Sequence, residues 1–160
     1  MQLSDAGADF IGKGYENPAE KGFNAKLNLY FQYDDGYGTQ TIGYGHAVKD
    51  GEDFSKGISP DQVRSMFKAD SAEAVGAVNG MTCRTGMTQN QFDALVSLQF
   101  NAGPHAYTPP LRDFNATGSA KKSDFTGHYT TSGGVPSRGL AIRRAAEWRI
   151  FSTGVYDASH

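Results

Sequence analysis

Asp34-Asp35-Gly36-Tyr37-Gly38 precedes Thr41-Ile42-Gly43-Tyr44-Gly45-His46, so a carboxylate stands six positions before a threonine hydroxyl and an imidazole follows shortly after. Glycines between β-formers such as Thr, Ile and Tyr predict a tight β-hairpin that turns these groups towards one wall. Paired carboxyls do acid–base work on glycosidic bonds when one stays protonated and the other ionised. The candidate carboxylates are Glu16, Glu20, Asp34 and Asp35. Asp35, in a polar glycine-rich mouth, is expected to stay ionised. Glu16 ends a predicted helix between Tyr15 and Pro18, where partial burial would raise its pKa and keep the acid form. Thr41 can hold a water through its hydroxyl.

The elements that must position these groups follow from periodicity and punctuation. A helix is predicted over 3–16, with Leu3, Ala6, Phe10, Ile11 and Tyr15 on one side; Gly12 and Gly14 weaken it and Asn17-Pro18 ends it. A mixed connection over 17–32 leads to the hairpin region at 33–48. Ser59-Pro60-Asp61-Gln62 is a strong helix start, and that helix is predicted to run to about Val78. Its apolar stripe of Val63, Phe67, Ala74 and Val78 also carries Asp70, an unpaired carboxylate that would be costly there. Thr88-Gln89-Asn90-Gln91 opens a helix apolar nearly all round, the predicted buried central helix over 88–102, which Gly103-Pro104 stops. Short helices near 108–116 and 120–128, a flexible loop from Thr130 to Pro136, and a last helix from Ser137 to Thr153 capped by Gly154 complete the chain. The expected class is α+β and mainly helical, one domain over 1–160. A small α+β lobe covers about 17–60, a helix over about 60–78 links it to a helical lobe over about 80–160 plus the N-terminal helix, and a cleft lies between the lobes.

With 38% hydrophobic and 20% charged residues, the 160-residue chain has the make-up of a folded globular protein. Its net charge of −2 hides an asymmetry. Residues 1–75 hold 7 Lys/Arg and 12 Asp/Glu, whereas 76–160 hold 8 and 5, so the second half could face an anionic polymer. No basic run is dense enough for nucleic acid, and no apolar run is long enough for a membrane span. His46, His105, His128 and His160 lack metal-ligand spacing, the glycines are not a dinucleotide fingerprint, and no cofactor is expected. Cys83 is alone, so no disulfide forms within the chain, and a monomer is expected. The opening Met1-Gln2-Leu3-Ser4-Asp5 lacks the features of a signal peptide, which predicts synthesis in the cytoplasm.

Four blocks in order, YDDGYGTQTIGYGH, KGISPDQVRSMFKAD, MTQNQFDALVSLQFNAG and GLAIRRAAEWRIF, make the chain resemble phage-type lysozymes from about residue 9 to 154. The resemblance implies a lysozyme-like fold and a hydrolase that cuts the β-1,4 bond between N-acetylmuramic acid and N-acetylglucosamine in peptidoglycan glycan strands. It maps the family's catalytic aspartate to Asp35 and its threonine to Thr41. The acid maps to Glu16, because "DFIGKGYEN" matches the helix-ending family pattern better than "PAEKG", with Glu20 in reserve. Glu16 stands 19 residues before Asp35 and Glu20 stands 15 before it, which implies an insertion at about 17–28 between acid and hairpin. Asn101 and Tyr44 are expected to contact the sugar. Arg143 matches the arginine that orients the acid, competing with an exposed Arg143–Glu147 pair at i,i+4. His46 and Asp70 are expected to form a structural ion pair. The alternatives are a lytic transglycosylase on the same bond and a module that binds peptidoglycan without cutting it. Such an enzyme would act on the cell wall as a phage endolysin or, on a slight preference, as a secreted effector domain with an immunity protein as partner.

Overall fold

The computed structural model describes residues 1–159, and its chain divides into two compact units, Ala8–Asp70 and Met1–Gly7 with the chain from Ser71 onward. His160, one of the four histidines considered for metal spacing, lies outside the described residues.

Helix α1 spans Asp5–Ile11 and crosses the unit boundary. Ser4 caps it, its Oγ accepting from Gly7 N at 2.9 Å. The helix then widens into a π-helical turn over Gly12–Glu16, closed by Asn17 N donating to Gly12 O at 2.8 Å. Gly12 is required there: a Cβ would lie 2.1 Å from Cδ2 of Tyr44, whose side chain packs against it. The weakening expected from the glycines therefore takes the form of a wider turn rather than a break.

The expected mixed connection over 17–32 is corrected. Strands β1 (Phe23–Asn24) and β2 (Leu29–Tyr30) pair antiparallel, Phe23 opposite Tyr30, and the two rings pack with centroids 4.7 Å apart. The hairpin region is a three-stranded meander of β3 (Tyr33–Asp34), β4 (Gln40–Ile42) and β5 (His46–Ala47), with Tyr33 opposite Thr41 and Ile42 opposite His46. Helix α2 (Pro60–Asp70) lies behind it, started by Ser59 and Gln62, each accepting from the other's backbone N–H. Ile11, Tyr30, Ile42, Tyr44, Val63 and Phe67 form the core of this unit.

The single helix expected from Ser59 to Val78 is also corrected. It stops at Asp70 and restarts as α3 (Ala72–Met81), with Ser71 between them at φ −86°, ψ 3° and fully buried. Asp and Ser compete with the helical backbone for hydrogen bonds, and Asp70 has turned its carboxylate to His46.

In the helical unit, Thr88 opens α4 (Gln89–Ala102) with a complete capping box, and the helix is buried along most of its circumference. Its heaviest packing is against α7 (Arg138–Thr153), with α3 next; α5 (Pro109–Thr117) and α6 (Lys122–Thr126) fill the rest of this unit. Asn90 of α4 donates to the last carbonyls of α7, Ile150 O at 2.9 Å and Phe151 O at 3.1 Å. Buried Asp93 accepts from Ser4, Gln89 and Tyr156, tying both chain ends to the central helix. The loop expected from Thr130 to Pro136 is instead a small hairpin: β6 (Thr131–Ser132) pairs with β7 (Val135–Pro136), and Gly133 and Gly134 turn at φ 56° and 80°.

Candidate active site

The turn after β3 fixes Asp35. Its Oδ1 accepts from Tyr37 N at 2.7 Å and from Thr39 N at 3.1 Å, while Asp34 Oδ1 accepts from Gly36 N at 2.7 Å. Asp35 is half-buried, and these two backbone N–H groups, with the charge of Lys21 in a smaller role, hold its pKa below the usual aspartate value. Thr41, opposite Tyr33 in the ladder, is buried at 6% exposure, and its hydroxyl donates to Thr39 O at 3.2 Å. The same turn therefore supports both side chains.

Glu16 is the last residue of the π-helical turn. The partial burial expected for it is corrected, because the side chain is exposed. Its stem faces the β4–β5 turn, where a Cβ on Gly45 would come within 3.7 Å of Glu16 Cβ. Glu16, Tyr33, Asp35, Thr41 and Gly45 line one open cavity of about 380 Å³ with Asn17, Pro18, Ala19 and Lys21, all within the Ala8–Asp70 unit. Glu20 is engaged elsewhere: it pairs with Lys13 at 3.0 Å and accepts from the Tyr30 hydroxyl at 3.2 Å. Burial, then the Glu20 charge, pushes that phenol up to about 12.

Tyr44 is corrected from sugar contact to core. It is 6% exposed, its hydroxyl donates to Asp9 at 2.9 Å, and its ring lies between Gly12, Tyr30 and Phe67. Asp9 in turn holds Arg64 Nε at 2.8 Å. His46 Nδ1 lies 2.8 Å from Asp70 Oδ2, and Nε2 lies 3.0 Å from Glu52, a second carboxylate that sequence reading missed. Burial pulls the imidazole pKa down, but the hydrogen bonds to Glu52 and Asp70 outweigh it and the net shift is upward.

Asn101 and Arg143 belong to the helical unit. Asn101 is exposed near the end of α4. Arg143 is 5% exposed and donates to Glu147 at 3.3 Å and to Ser97 O at 3.4 Å. The i,i+4 pair with Glu147 is therefore buried rather than exposed, and Arg144 and Ser97 share the same carboxylate.

The match to known proteins decides the family. The phage lysozyme family model covers residues 26–147. The chain belongs to the phage lysozyme family. An endolysin of Bacillus phage PZA is 34% identical over 158 residues, covering 96% of this chain and 56% of that protein. The chain thus spans about half the length of that curated relative and of the Bacillus phage B103 endolysin. Among solved structures, an endolysin from Escherichia coli O157:H7 phage FAHEc1 superposes with a TM-score of 0.69 at 32% identity, covering 98% of this chain and 97% of that one. A P22 lysozyme mutant gives 0.68 at 27%, covering 94% and 98%. The fold is lysozyme-like, mainly helical with small antiparallel sheets. These relatives carry no support for a secreted effector. The phage lysozyme model begins at Lys26, after Glu16 and most of the insertion, and includes Asp35, Thr41, Asn101 and Arg143.

A further residue missed by sequence reading lies at the insertion. Buried Asn17 gives its amide to Lys21 O at 3.0 Å and Gly43 O at 2.9 Å and accepts from Lys21 N at 2.9 Å, joining the extension to the β4–β5 turn. The signal available was the Asn-Pro helix stop, read only as punctuation.

Proposed function

We propose that the chain is a peptidoglycan hydrolase that cuts the β-1,4 bond between N-acetylmuramic acid and N-acetylglucosamine, acting on the bacterial cell wall. The carrying observation is that Glu16, Asp35 and Thr41 line one cavity while Glu20 is held by Lys13 and Tyr30. The endolysin names of the relatives support the cell wall as the site of action.

In the proposed reaction, the Glu16 carboxyl donates its proton to the glycosidic oxygen as the anomeric C–O bond breaks. A water beside Thr41 Oγ1 attacks the opposite face and passes a proton to Asp35, which the Tyr37 and Thr39 N–H groups keep ionised. Two carboxyls serving a water between them give inversion at the anomeric carbon.

The test is digestion of purified cell walls, read by mass spectrometry and by NMR of fresh product. Reducing muramic ends appearing first as the α-anomer support the scheme. First-formed β-anomer overturns inversion, anhydromuramyl ends replace hydrolysis with transglycosylation, and no cleavage replaces catalysis with binding.

A further inference from the structure

Lys21 stands on the wall of the same cavity as Glu16 and Asp35. Its main chain is fixed at three points. Asn17, 3% exposed, bonds both its N–H and its carbonyl, and next to it Gly22 O accepts from Phe31 N at 2.8 Å. Gly22 sits at φ 78°, and a Cβ there would lie 2.2 Å from Phe31 O, so this backbone path permits no other residue without movement. The outcome is a rigid post carrying a long flexible cation. Lys13 has its carboxylate in Glu20 at 3.0 Å, whereas the Lys21 ammonium makes no ion pair or hydrogen bond among the described residues. An uncharged sugar needs no ammonium, but the stem peptides attached to the muramic sugar carry free carboxylates.

We propose that Lys21 is a substrate-recognition residue that binds a stem-peptide carboxylate of peptidoglycan, so that the insertion makes this site prefer peptide-bearing over bare or neutral glycan. This rests on the reading of the cavity as a peptidoglycan-cleaving site. The lactyl carboxyl of a peptide-bearing muramic sugar is already tied up as an amide, which leaves the carboxylates further along the peptide as the anions to bind. Binding through one exposed ammonium is worth about a three- to fivefold change in kcat/KM.

The experiment compares wild type, Lys21→Met and Lys21→Arg on native peptidoglycan and on the same material with its carboxylates converted to methylamides by carbodiimide coupling. Amidation is expected to raise KM for wild type about three- to fivefold with kcat unchanged. Lys21→Met is expected to show that higher KM on native material and no further change on amidated material, while Lys21→Arg behaves as wild type. Equal responses of wild type and Lys21→Met to amidation would overturn the inference. So would a loss in Lys21→Met confined to kcat, with its acid limb moved upward, since that would make Lys21 only an electrostatic neighbour of Asp35. Cleavage of native material by wild type is read in the same assay, and its absence would overturn the hydrolase reading instead.

Discussion

In the proposed reaction Glu16 is the acid and Asp35 the base, and the turn after β3 holds Asp35 for that role. Asp35 is half-buried, and two N–H groups of its own turn favour its anion, so the acid limb of kcat/KM is expected below the ordinary aspartate range. A pH–rate profile of wall digestion checks this, and an acid limb above about 4, the ordinary carboxylate region, would contradict it. Asp35→Asn leaves the turn an oxygen acceptor but removes the proposed base, and a loss of about 10²- to 10⁴-fold in kcat is expected. The hairpin and turn that carry Asp35 and Thr41 were readable from their glycine-rich spacing. The environment of Glu16 was not, because the width of a helical turn depends on Tyr44 settling against Gly12, a contact made by residues far apart in the chain.

At the scale of elements, capping signals were the most legible. Ser59, Thr88, Gly103 and Gly154 all act at helix ends where the sequence places them, because caps are local chemistry. The break at Ser71 and the hairpins at 23–30 and 131–136 were hidden, being too short for periodicity and dependent on tertiary partners. Gly12→Ala should force the Tyr44 ring off the π-helical turn and cost about 1–3 kcal/mol, measured by denaturant unfolding. An unchanged midpoint would show that the ring moves freely. His46 joins β5 to α2 and the 49–52 turn with its pKa raised by Glu52 and Asp70. A raised folded pKa stabilises fully below the unfolded value of about 6.5 and loses that contribution as pH climbs through the folded value. Tm should therefore fall across that window in wild type. The His46→Gln variant should lack this component of the slope, and an identical slope in the variant would remove the pair from the explanation.

For the whole molecule, charge sets how the chain meets its substrate. The unit carrying the cavity has 7 Lys/Arg and 10 Asp/Glu over residues 8–70, a formal charge of −3, and the full chain carries −2. A strongly basic enzyme would lose rate on an anionic wall as salt is added. Here lysis is expected to stay level or rise between about 20 and 150 mM salt, as screening removes net repulsion. A steep fall in clearing rate over that range would mean that local basic groups dominate. The most direct measurement remains clearing of purified walls by Glu16→Gln beside Glu20→Gln, both checked for wild-type Tm. Glu16→Gln should lose about 10²- to 10⁴-fold in rate while Glu20→Gln keeps most of it. The reverse order, with Glu16→Gln active and Glu20→Gln dead, would contradict the assignment of Glu16 as the acid facing Asp35.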